Sequence, residues 1–408
     1  MKRLLAIVLC ILVCFINPLV AFGEMSPSLK AAFVRDGNLW IKKGNDERQV
    51  TKGRKVANPR WSSDGKWLAY FEENQDKKKV WLYNLHSEKK EIVFTGNPSN
   101  IQWASNQNSL AFQEDERLYV KNVFSERHKL ISSDVGNYSW HPNGKSFLTS
   151  TNSELTPDGW TDIELHEIVI KDGQIKKSHL FTLPAYSLGS EDFGIGTSIF
   201  KWSPDGKWIS FIKYPTASLS ADSNLLYVLS ADGKHLIKLD QMLNEPSWFQ
   251  WAPNRKLLAY IGGINRMSIM NKFLKVKELP AASLGTLTPD GFVDRDFTWH
   301  NDVVITVARS KESEWSNNPT ERPMPTLYQI DLESKEQKKI TRPEDGYGDF
   351  NPKYVPKSNQ LAWVRTNREK SDVWIADGNG RNAKVWITDI DLGEDFYERW
   401  DWSKVLSI

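Results

Sequence analysis

The stretch "WSPDGKWISF", residues 202–211, has a near copy in "WSSDGKWLAY" at residues 61–70. Looser versions keep the same order: "WASNQNSLAF" (103–112), "WHPNGKSFLT" (140–149), "WAPNRKLLAY" (251–260), "WHNDVVITVA" (299–308) and "YVPKSNQLAW" (354–363). A truncated last copy, "WSKVLSI", stands at 402–408. The eight anchors from Trp61 to Trp402 lie about 49 residues apart on average, within the range of propeller blades.

Each unit has one internal grammar. The anchor ends a short apolar strand, Asp-Gly or Asn-Gly makes a tight turn, and an apolar strand such as "KWISFI" follows. After a variable loop comes a third strand, "KVWLYNL" (79–85) or "NLLYVLS" (224–230), and then a polar hairpin and a fourth, "KKEIVFT" or "KHLIKL". One such sheet leaves two apolar faces open, so the units stack radially and the repeated aromatics pack between neighbours. The fold expected is all-β, a β-propeller of four-stranded blades. Eight blades fit the count, and seven stays open because the unit at 292–345 has an eroded first turn. Residues 31–52 read as strands two to four without a first strand, and "FYERWDW" (396–402) reads as a first strand, so the two ends are expected to close the ring together.

Residues 1–23 carry Lys2 and Arg3, an apolar run and a small-x-small site at Ala21 and Gly23, which predicts a signal peptide ahead of a single propeller domain at 24–408. A retained anchor is the alternative. Both cysteines, Cys10 and Cys14, fall in this segment, so the mature chain has neither disulfides nor thiolate ligands to draw on. Without Lys2 and Arg3 the basic residues, 53 in the full chain, equal the 51 acidic ones. That balance gives a nucleic-acid partner no support.

The pattern Trp-Ser-Pro-Asp-Gly-Lys, an apolar strand, then "LYV" and a hairpin is similar to the TolB-type β-propeller repeat. It is carried best by residues 57–96, 196–242 and 347–389. The resemblance implies the fold and little about activity, because propellers of this kind serve as envelope scaffolds, peptidase domains and lyases. A TolB protein also has an α/β domain ahead of six blades, which this chain lacks room for. No Gly-x-Ser-x-Gly elbow is present.

Long insertions fall in one set of loops: 151–162, 184–196, 213–223 and 309–325. In a four-stranded blade these loops share one face of the disc, and clustered insertions mark a binding face. The partner-binding candidates there are Trp160, Asp192, Phe193, Asp294, Asp296, Trp315 and Asp349, since aromatics rimmed by acids suit a protein, basic peptide or sugar. The seven histidines have no metal-ligand spacing, "DGNGRN" (377–382) lacks the bidentate Glu of a calcium loop, and no acid pair stands out as catalytic. The sequence thus points to an exported, non-catalytic scaffold without metal or cofactor that binds an envelope or secreted protein or peptide through its loop-rich face. A carbohydrate-binding protein or glycan-active enzyme on the same face is the alternative.

Overall fold

The computed structural model describes residues 29–74, 77–280 and 282–408; the predicted signal segment lies outside them. Eight antiparallel sheets of four strands follow one another along the chain. The unit containing the first copied motif shows the plan: Val56–Trp61, Trp67–Glu73, Lys78–Asn84 and Lys90–Gly96 pair in sequence order. Its second strand, "WLAYFEE", is buried at five successive positions because a neighbouring blade covers each face. The fourth strand is largely exposed and forms the rim. First strands lie innermost and touch the first strands of adjacent blades.

The copied letters have two separate structural tasks. In the turn, Gly65 adopts a φ of +65°, and Asp64 accepts from the Ser62 hydroxyl (2.7 Å) and the Lys66 amide (2.9 Å). Asp205 repeats both bonds with Ser203 and Lys207, and Gly206 repeats the φ at +68°. The anchor tryptophan ties blades together. The indole N–H of Trp103 donates to the carbonyl of Arg60, the residue preceding the previous anchor (2.9 Å). Trp140 does so to Gln102, Trp251 to Lys201, Trp299 to Gln250 and Trp61 to Ser407. The side chain preceding an anchor often returns the bond: Gln102 donates to the Tyr138 carbonyl, Lys201 to Phe249 and Gln250 to Phe297.

The ring closes through a shared blade, as expected, but with a different segment. Lys30–Arg35, Asn38–Lys43 and Asp46–Gln49 are its strands two to four, and its first strand is Leu406–Ser407, paired with Phe33 and Ala32. Residues 396–402 are not that strand. Glu394–Phe396 and Arg399–Asp401 pair only with each other, in a separate hairpin, and Trp402 starts a 3-10 turn. Ser407 meets Ala32 as Arg60 meets Ala69, so Ile408 holds the position that Trp61 fills in the next blade.

Four first strands carry a bulge whose central residue is left-handed: Asn58, Asn100, Asp296 and Asn351, with φ between 44° and 54°. Asn and Asp tolerate this conformation best among residues other than glycine. The bulges turn the inner strands into the channel wall.

Candidate functional site

First strands of the fifth, seventh and eighth blades, the loop entering the sixth and the segment 394–406 enclose a cavity of about 740 Å³ on the propeller axis. Four charged side chains at its inner wall belong to different blades, so the ring brings them together and local sequence does not. Lys201 donates to the carbonyls of Pro246 (2.5 Å) and Phe249 (2.8 Å), and burial lowers its pKa to about 7. Glu245 accepts from the Ser247 amide and hydroxyl and faces Arg399 at 3.8 Å; burial raises its carboxyl, against the pull of Arg399. Asp296 accepts from the Trp248 indole (2.9 Å) and the Asn351 amide (3.0 Å), and burial pushes it upward as well. Lys353 reaches the same space, its pKa lowered by burial and supported by the charges of Asp296 and Glu245.

The hairpin roofs the cavity on the insertion face. Its tip, Tyr397 and Glu398, has φ of 56° and 66°, a two-residue turn that Asn-Gly would make with less strain. Neighbouring loops hold it there. The Tyr397 carbonyl accepts from the amide and hydroxyl of Ser268, and the Glu398 carbonyl accepts from Arg295. The Glu398 carboxylate, 1% exposed, receives Arg368 (2.8 Å) and Arg322 (3.2 Å). Loops of three blades therefore converge on one turn.

The residues singled out from sequence divide into three groups. Trp160, on the small hairpin within the insertion at 151–162, meets the buried Phe193 edge to face at 5.9 Å, and nearby Asp192 pairs with Lys238 at 2.6 Å. Trp315 meets Tyr397 in a tilted contact at 5.2 Å, under the guanidinium of Arg322. Trp160 and Trp315 are half-buried. Asp294 and Asp349 lie wholly inside their blades, each opposite an arginine on the second strand: Asp294 to Arg309 at 2.6 Å and Asp349 to Arg365 at 2.7 Å. Asp349 also accepts from the Trp363 indole. Asp296 belongs to the channel wall. Buried lysines brace these loops: Lys272 donates to the carbonyls of Ile264, Asn265 and Met270 within its own connection, and Lys213 donates to those of Pro184 and Asp192 in the 184–196 insertion.

Sequence reading did not find Lys201, Glu245, Lys353 or Arg399. A signal was available for two of them, since Lys201 and Lys353 both stand just before an anchor, where Arg60, Gln102 and Gln250 stand in other units. Glu245 and Arg399 lie in connections that no repeat describes.

Neither a known protein family nor a curated protein matches the chain. Among solved structures, dihydro-heme d1 dehydrogenase NirN in complex with DHE is similar over 91% of this chain and 76% of its own, at 14% identity and a TM-score of 0.61. Dipeptidyl peptidase 4 from Porphyromonas gingivalis is similar over 90% of this chain and 57% of its own, at 10% identity and a TM-score of 0.55. For TolB from Acinetobacter baumannii the figures are 91%, 66%, 13% and 0.38. The chain spans less than two thirds of the last two proteins. Likeness at such identities concerns fold alone, and the fold is the eight-bladed all-β propeller described above.

Proposed function

We propose that the chain is an exported, non-catalytic propeller scaffold that docks an envelope or secreted protein or peptide on its insertion face. One observation carries this reading. Large apolar side chains left exposed gather there over adjacent blades: Leu155 (68% exposed), Tyr186, Leu188 (64%), Leu219, Ile264 and the hairpin's Phe396. The remaining exposed ones stand on outer strands or a rim turn, scattered as single residues usually are. A run of apolar tips across neighbouring loops suits the buried centre of a protein interface, with Asp192 and Lys238 as polar surroundings. Among the described residues no helix is long and apolar enough to cross a membrane. The test is capture of envelope proteins by the tagged chain beside a Leu155→Ser, Leu188→Ser variant of unchanged melting behaviour. A partner held by the parent and lost by the variant is expected, and equal retention by both would sink the reading.

The glycan alternative draws on a different observation. Glu245 and Asp296, both with raised carboxyl pKa, share the axial cavity with Trp400. Turnover of an envelope glycan that Glu245→Gln abolishes would favour that reading over the scaffold.

A further inference from the structure

Three ring junctions show what a polar side chain before an anchor does: Gln102, Lys201 and Gln250 each donate to a carbonyl two residues ahead of the next blade's anchor. Lys353 stands before Tyr354 in the eighth blade, and the matching carbonyl at the ring-closing junction belongs to Leu406, two before Ile408. That bond is not made. Lys353 points into the axial cavity, and among the described residues its ammonium has neither a hydrogen bond nor an ion pair within 4 Å. Asp296 and Glu245 act on it only through space.

Most other charges on this wall are already engaged. Lys201 has its two carbonyls, Asp296 its indole and amide, and Glu245 its serine and Arg399. At the mouth Glu394 pairs with Lys404, and Asp401 accepts from Ser403. The capacity left over is therefore donor capacity on Lys353 and on Arg399, whose guanidinium pairs, among the described residues, only with Glu245 at 3.8 Å, and its complement is an anionic acceptor. The volume, about 740 Å³, exceeds what a bare ion fills, and Ile199, Phe396, Trp400 and Leu406 add apolar wall.

We propose that the axial cavity binds a small organic carboxylate, which pairs with Lys353 while its apolar body lies against Phe396 and Trp400 beneath the C-terminal hairpin. This site shares Phe396 with the docking face but is centred on Lys353, and because Leu155 and Leu188 do not line the cavity, the variant that tests docking leaves it intact. The test is calorimetric titration of the purified chain with benzoate, its neutral isostere benzamide, inorganic phosphate and maltose. Benzoate is expected to bind saturably and benzamide about tenfold more weakly or worse, as loss of a charge-assisted bond implies. Lys353→Met should cost benzoate a similar factor, Lys353→Arg should recover most of it, and Lys338→Met on the rim should change nothing. The two Lys353 variants are compared by melting temperature first, so that misfolding is told apart from lost binding. Equal affinity for benzoate and benzamide overturns the proposal, as does undiminished binding by Lys353→Met. So does binding of phosphate alone, binding of maltose alone, or no saturable binding by any probe.

Discussion

Asp64 and Asp205 are exposed turn residues that accept bonds from their own hairpins, whereas Asp294 and Asp349 are sealed inside blades opposite Arg309 and Arg365. The two kinds respond to different tests. Burial works against the low pKa of Asp64 and Asp205, but the amide and hydroxyl bonds outweigh it and hold both below the ordinary value; Asp232, in a third turn of this type, is held at about 2 mainly by Ser230. A carboxyl lowered on folding contributes fully above its unfolded pKa, about 3.9, and loses that contribution as pH falls through the folded value. An Asp64→Asn, Asp205→Asn variant should therefore lose less stability than the parent on acidification between about pH 4 and pH 2, measured by urea unfolding. An unchanged acid limb would contradict this. Asp349→Ala, by contrast, leaves Arg365 buried without its partner and should cost about 3–5 kcal/mol at neutral pH, with much of it restored by adding Arg365→Met. The turn aspartates were legible because Ser-x-Asp-Gly is a local pattern. The buried pairs were not: Asp294 and Asp349 look like loop acids until strand register puts an arginine 15 or 16 residues later directly across from each.

Trp103 and Trp202 occupy the same place in their blades, yet only Trp103 donates its indole N–H to the preceding blade, while Trp202 lies against His141. Replacing Trp103 by Phe should cost about 1 kcal/mol more than replacing Trp202 by Phe, a difference assigned to one interblade bond and readable from denaturant midpoints at constant slope. Equal costs would mean that packing alone explains the repeated anchor. The strand grammar was readable because period-two apolar segments and Asp-Gly turns leave few other assignments. The same logic misassigned 396–402, whose alternating aromatics resemble a strand. Its turn is made by Tyr397 and Glu398, neither of which signals positive φ, and is held by Arg322 and Arg368 from loops far away in sequence. Glu398→Ala should free that tip and strand Arg322 and Arg368, seen as faster proteolytic cleavage within 394–401 together with a lowered melting temperature.

At the scale of the ring, eight blades leave one joint to be completed, and Leu406–Ser407 completes it against Lys30–Arg35. Removing residues 405–408 would leave the inner edge of Ala32 and Phe33 unpaired beside an apolar interior. The expected result is a lower melting temperature and concentration-dependent association by size-exclusion chromatography. A truncated chain that stays monomeric and melts like the parent would show that blade packing alone holds the ring. The blade count and shared closure were legible because repeats report their own number and phase, whereas the axial cavity was not, because its walls come from blades whose separation in sequence hides their adjacency. The closing joint also sets an order in time. Trp61 donates to Ser407 across 346 positions, so seven blades can form while the shared one still waits for its inner strand. A nascent chain must hold Lys30–Arg35 ready throughout, and the last contact to form carries the largest loop-closure cost in the molecule.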